Sequence, residues 1–337
     1  MSNIQFRHNI AIDYVRGIAM MEIVTCHFFM FGGVPGWEPL GQWFAGVGNF
    51  LFFAISALLF GLQYEGKGST CFLPLTFLRK RFMRLFPSLW IFLSIWLVIQ
   101  IFFLKNDVAP IKVIMNFLGG CWFAKLPSIG HLWFITMVII CYIMYVIVAN
   151  EKLHICVKLR DVGGRFWIVF LCLSMMFELA IDSFNIPGYL IVILFYSLFF
   201  FIKASKVIKY ANGITLSRLL LLLVVSNSIA LVLSYHQDLF FALSFYRFVS
   251  CLAGFSWLLL MLRLNKKFKY DRALLFVSSY SYELFLVHHI FCCGTFSMIK
   301  LSNSILLNYG LLWICALCAA IMLKFIGDRI YKRLIVA

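Results

Sequence analysis

Charge is what this sequence has least of. Of its 337 residues only 12% are charged and 64% are apolar, and the mean hydropathy is +0.97. A soluble domain is about 25% charged and about 45–50% apolar. The chain is therefore not a soluble globular protein, a disordered chain or a coiled coil, and its length is spent on membrane spans with no room for a separate soluble domain. Acidic residues are scarcer than basic ones, 13 against 29, for a net charge of +16. That charge does not indicate nucleic acid, because the basic residues sit in short loops between apolar runs, as cytoplasmic loops do. Paired CxxC motifs are lacking, so the eleven cysteines do not suggest zinc. Cys315 and Cys318 are spaced CxxC, but inside an apolar run, where cysteine packs as a small apolar residue. No internal repeat is visible, which weakens an inverted-repeat transporter. No small-residue cleavage site follows a short apolar core near the start, so the first span is not a cleaved signal peptide.

What is present is a series of apolar runs. A helix needs roughly 20 apolar residues to cross the hydrocarbon, and ten runs of that size occur at about 10–31, 43–63, 86–104, 131–149, 166–182, 187–203, 216–234, 240–262, 274–299 and 305–326. With the first end inside, 23 of the 29 Lys and Arg fall in inside segments, among them Arg79, Lys80, Arg81 and Arg84. Only Lys105, Lys112, Lys125 and Lys300 fall outside. The expected fold is an all-α integral membrane protein of about ten helices, both termini cytoplasmic, forming a single domain over 1–337. The moderately apolar stretch 111–123 is an interfacial helix, a re-entrant cap or an ordinary loop.

Charged groups at the centre of a span cost about 2.5–3.5 kcal/mol each on insertion scales and face the bundle interior or a water-filled cavity. The first span carries Asp13, Arg16, Glu22 and His27. Arg16 and His27 are eleven residues apart, which puts them within about 20° of one face and about 16 Å apart along the axis. Asp13 can pair with Arg16 at i,i+3. This stripe is either an anchoring ion pair with a core histidine or a polar wall leading to an imidazole. Ser56 shares a face of the second span with Asn49, where packing is the default reading. Arg81 and Arg84, one turn apart, suit either a phosphate clamp or plain cytoplasmic-end charge. Trp133 fits an aromatic belt, and His131 is a site residue or a wetted boundary histidine. Glu283 lies deep in the ninth run, about 140° round the helix from His288, with Arg247 as one candidate partner.

These segments together resemble the membrane-bound acyltransferase 3 family. The resemblance rests on Arg16 and His27 with ten residues between them, Leu51-Phe52-Phe53-Ala54-Ile55-Ser56, Arg81-x-x-Arg84 with Pro87, His131-Leu132-Trp133-Phe134, and Ser281-Tyr282-Glu283-Leu284-Phe285-Leu286-Val287-His288. It departs at Asn49, where many members have Asp, at Ala57, where many have Gly, and in having no acidic residue soon after Trp133. The resemblance implies a bacterial inner-membrane O-acyltransferase, usually an acetyltransferase. Acetyl-CoA or another acyl-CoA would be the cytoplasmic donor, and an envelope polysaccharide or its lipid-linked precursor the acceptor. No tightly bound cofactor and no metal are implied. It makes His27 and Arg16 the essential pair and Arg81 and Arg84 donor-side residues, with Asp13, Ser56, His131, Trp133, Glu283 and His288 lining the cavity or acceptor site. His27 would act as general base or carry the acyl group. Two other readings compete: a translocator of glycan or lipid-linked intermediates, which would release no CoA, and a polyprenol-dependent glycosyltransferase, which would favour an acidic base on a sizeable outer loop.

Overall fold

The structure is a computed structural model and describes residues 10–67, 73–150, 153, 155–182, 189–236, 242–264 and 272–336. Arg7, Lys152, Lys266, Lys267 and Lys269, which enter the orientation count, and the stretch 183–188 between the fifth and sixth expected spans lie outside these residues. Among the described residues the structure is all helical. The helices are α1 (Ile10–Met30), α2 (Glu38–Lys67), α3 (Pro74–Val98), α4 (Pro110–Phe117), α5 (Trp133–Val148), α6 (Ile155–Asp161), α7 (Gly164–Asp182), α8 (Tyr189–Ile202), α9 (Ala204–Gly213), α10 (Leu216–Ser234), α11 (Ala242–Leu264), α12 (Arg272–Ser279), α13 (Ser281–Cys292) and α14 (Ile305–Val336). A π turn, Ile99–Phe103, prolongs α3, and a 3-10 turn, Gly130–Leu132, leads into α5.

The described parts of the expected apolar runs are mostly helical, and among the described residues length and composition mark six to eight candidate spans where the sequence suggests ten. Six helices are long and apolar enough to cross a membrane: α2, α3 with its π turn, α5, α10, α11 and α14. Two broken pairs, α8 with α9 and α12 with α13, raise the number to eight. The first run forms α1, but Asp13, Arg16 and Glu22 leave no 18-residue stretch with fewer than three charges. The fifth forms α7, apolar over Gly164–Phe177. The exposed faces of α10 (Leu221, Val224, Val232) and α14 (Leu306, Ile314, Met322) are apolar. Surface of this kind belongs in hydrocarbon rather than water, as in a multi-pass membrane protein.

The chain forms two compact units. The first takes Met1–Cys26, Gly36–Phe72 and Met144–Ser279. Its central helix is α2, which packs on α8, α9, α10 and α11. Phe50, Leu51, Phe53, Ala54, Ala57 and Leu58 are all buried, so α2 is enclosed on more than one side. At the break between α8 and α9 the chain turns by 78°. The Lys203 ammonium sits there and donates to the carbonyls of Arg160 and Val162, satisfying the C-terminal end of α6.

The second unit takes His27–Pro35, Leu73–Ile143 and Tyr280–Ala337. Here α13 packs on α3 and α14, and α14 packs on α3. A Cβ on Gly327 would stand 2.6 Å from Ser88 Oγ, so only glycine lets α14 lie this close to α3. Contacts advance together along α3 and α13. Tyr282 donates to the Leu85 carbonyl (2.7 Å) and Ser88 donates to Glu283 (3.3 Å) near the start of α13. Farther along, the Trp96 indole donates to the Pro127 carbonyl and its ring meets Phe296, just past the end of α13. The two helices therefore run in the same direction. The stretch 111–123 resolves into the short helix α4 and a following turn, fastened by buried Asn116, which donates to the Lys112 and Ala124 carbonyls.

Candidate active site

Four of the seven histidines meet in the second unit. His27 arrives near the end of α1, His131 in the 3-10 turn before α5, and His288 and His289 in the last turns of α13. Ring centroids are 4.9 Å apart for His27 and His288, 4.8 Å for His27 and His289, and 5.1 Å for His131 and His288. His131 and His289 stack at 4.4 Å with 16° between planes. His288 is wholly buried and His131 and His289 nearly so, whereas His27 is half-buried and marks the open side of the cluster. Two tight turns shape the floor. Ser128 has φ 57°, and Gly294 has φ 82° with the Ser128 hydroxyl where a Cβ would go.

Carbonyl oxygens only accept hydrogen bonds, so they assign the protons on neutral rings. His288 Nδ1 lies 2.9 Å from the Phe285 carbonyl and 3.1 Å from that of Leu284, so Nδ1 carries the proton and Nε2 the lone pair. His288 Nε2 lies 3.0 Å from His27 Nδ1. His27 Nδ1 is therefore the donor, which makes Nε2 the basic nitrogen of His27. By the same argument His289 donates from Nδ1 to the Ser128 carbonyl (2.7 Å), and His131 from Nε2 to the Leu286 carbonyl (3.3 Å). Buried His131 Nδ1 is then an acceptor, and no hydrogen-bond partner faces it among the described residues. A backbone carbonyl, a buried histidine and a half-buried histidine thus form one directed chain ending in a base.

The other expected residues divide between the units. Asp13, Arg16 and Ser56 belong to the first. There Arg16 Nη1 meets Asp13 Oδ1 at 3.1 Å, with both side chains partly exposed, and Ser56 is half-buried on α2. Arg81, Arg84, Trp133 and Glu283 join the histidines in the second unit. The partner the structure gives Glu283 is Ser88, one turn beyond Arg84 on α3. Arg81 lies over the Phe77 ring at 5.3 Å, and Arg84 is exposed. The Trp96 indole binds the carbonyl of Pro127, next to the Ser128 carbonyl that holds His289, so Trp96 marks the level of the histidines. At 1.5 Å per residue, Arg84 and Arg81 lie about 18 and 22 Å back along α3 from that level. Trp133 meets Trp122 edge to face at 5.3 Å.

Three contributors were not singled out from the sequence: His289, Ser88 and Phe31. His289 stands beside a chosen histidine, and the His-His pair was its only signal. Ser88 is the residue just after Pro87, where the quoted motif ends. Phe31, which stacks on His27 at 6.0 Å and meets His289 edge to face, lies just past the end of α1. Among the described residues no group of three or more His, Cys, Asp and Glu side chains is arranged to hold a metal ion. The arrangement gives His27 Nε2 a lone pair with which to take and return a proton, and α3 carries Arg81 and Arg84 far back from the histidine level.

No curated protein and no solved structure matches the chain. A family model described as an acyltransferase domain, that of acyltransferase 3, matches residues 9–328. With nearly its whole length matched and its helices suited to a bilayer, the chain belongs to the acyltransferase 3 family and is a membrane acyltransferase.

Proposed function

We propose that the protein moves an acyl group, acetyl foremost, from cytoplasmic acyl-CoA to a hydroxyl of a cell-envelope polysaccharide or its lipid-linked precursor in a bacterial inner membrane. The observation that carries this reading is the hydrogen bond from His27 Nδ1 to His288 Nε2, because it turns the basic nitrogen of His27 toward chemistry. His27 Nε2 takes the proton of the acceptor hydroxyl as its oxygen attacks the thioester carbonyl. The new C–O bond forms, the C–S bond breaks, and the imidazolium returns its proton to the leaving CoA thiolate. A positioned base of this kind contributes about 10²–10⁴-fold. His288 stays neutral and accepts the hydrogen bond from His27 Nδ1–H throughout, which stabilises the imidazolium when it forms.

Arg81 and Arg84 clamp the phosphates of CoA. Their distance of about 18–22 Å from the histidine level suits a donor whose thioester lies at the end of a long pantetheine arm. Arg16, held by Asp13, is the other residue that the family resemblance makes essential. His131 and Trp133 serve the acceptor. The test is release of CoA from acetyl-CoA by the purified protein, with envelope glycans from cells with and without the gene compared by mass spectrometry. CoA release and a mass difference of one acyl group are expected. An absence of CoA release in the presence of glycan refutes the reading and favours a translocator.

A further inference from the structure

A cavity of about 380 Å³ opens beside the histidines, within the same unit, and its wall includes Phe31, Cys293, Ser297, Ile299, Lys300 and Leu301. Two of these residues touch the cluster directly. Phe31 stacks on His27 and meets His289, and Cys293 Sγ lies 3.1 Å from His289 Nδ1. The volume falls within the range of small-molecule sites and suits a sugar residue. Lys300 is the one charged side chain among the lining residues. Its ammonium lies over Gly32, where a Cβ would stand 3.4 Å from Nζ. It thus lies beside the turn that follows α1, five residues beyond His27 in sequence. The lining has no carboxylate to neutralise it.

We infer that this cavity is the acceptor site and that it selects a hydroxyl-bearing molecule with a phosphate or carboxylate, the anion meeting Lys300 and the sugar ring lying against Phe31. The inference rests on the acyl-transfer reading for the step after binding, but binding itself does not depend on it. An aromatic face and a single ammonium on one cavity wall match the two chemistries of an acidic sugar: the apolar face of its ring and its charge. Lys300 supplies a flexible point charge rather than a planar fork, so it reads the presence of an anion more than its geometry. With the anion fixed at Lys300, a hydroxyl on the same molecule is directed toward the half-buried His27.

The test measures binding of glucose, glucuronate and glucose 6-phosphate by calorimetry in a sugar-free detergent, for the wild type and Lys300→Gln. The two charged sugars are expected to bind at least about tenfold more tightly than glucose, and Lys300→Gln is expected to abolish the difference while leaving glucose binding unchanged. Lys105→Gln, at another exposed lysine, is expected to keep the preference. Equal binding of all three sugars by the wild type, or an intact preference in Lys300→Gln, overturns the inference. Phosphatidylglycerol that displaces bound glucose 6-phosphate assigns the anion to a lipid-borne acceptor, and failure to displace it assigns the anion to a soluble acidic glycan. Selective binding without acetyl transfer to the bound sugar leaves the site standing and refutes the acyl-transfer reading.

Discussion

Removing the acceptor that His288 offers to His27 tests the proton assignment at its root. In His288→Ala the Nδ1 proton of His27 loses its partner at 3.0 Å in a setting where the neighbouring rings are buried. A donor left unsatisfied costs about 1–3 kcal/mol when buried, and His27 is half-buried, so the lower part of that range applies. At about 1.4 kcal/mol per factor of ten, kcat should fall about 10-fold, because fewer His27 rings present the lone pair on Nε2. The KM for acyl-CoA should stay within about twofold, since the proposed phosphate clamp lies far back along α3. His288→Gln restores an acceptor oxygen near the same reach and should recover most of the loss. Steady-state acetyl transfer gives kcat and KM separately, and 15N spectra of the His27 ring report which nitrogen carries the proton. Wild-type kcat in His288→Ala, or a Gln variant as impaired as Ala with an unchanged His27 tautomer, would refute the reasoning.

Other outcomes are expected from the same geometry. Arg81→Ala combined with Arg84→Ala should raise the KM for acyl-CoA about tenfold or more, with the defect growing in added salt as screening weakens the remaining charge. Gly327→Leu should lower the melting temperature in detergent, because its Cβ alone meets Ser88 Oγ at 2.6 Å. Gly310→Ala, where nothing lies within 4 Å, should not. Burial pushes the Cys293 thiol up to about 11. Because the thiolate is the reactive form, alkylation of Cys293 followed by peptide mass spectrometry should be slow at neutral pH and accelerate through pH 9–11. A thiol reacting fully at pH 7 would contradict its burial.

The sequence carried the helices better than their breaks. Long apolar runs set α10 and α11 within two residues and α2 within five, because a helix satisfies its own backbone in hydrocarbon, whereas α14 starts where expected but runs ten residues past its expected end. The sixth expected span ends within a residue of Lys203, as expected, but the sequence does not show that the ammonium there caps α6, a contact between residues more than forty apart. The ninth is broken at Tyr280 and ends at Cys292, well before residue 299. Gly294 signalled that end, but in an apolar stretch it reads as part of the run. The third helix begins at Pro74, twelve residues before its apolar stretch, since a helix continues through the basic residues Arg79 to Arg84 with no rule that it must stop at the interface.

In the site, His27, His131 and His288 were legible as costly polar residues in or beside apolar runs. That they converge was not, because convergence depends on α13 ending beside the Ser128 turn. His289 carried no sequence signal beyond standing beside His288, and adjacent helix residues sit about 100° apart. Both rings still reach the cluster, His288 through His27 and His289 through Ser128 and His131. Glu283 and His288 do serve different neighbours, as their angular separation implies: Ser88 for the first and His27 for the second.

The central claim is that His27 Nε2 takes the acceptor's proton, and single-turnover acetyl transfer by His27→Gln tests it most directly. Glutamine keeps a polar group near the position of Nε2 but cannot act as a base at neutral pH. The account predicts that donor binding is retained while the transfer rate falls about 10²–10⁴-fold. Transfer by His27→Gln at the wild-type rate would contradict it.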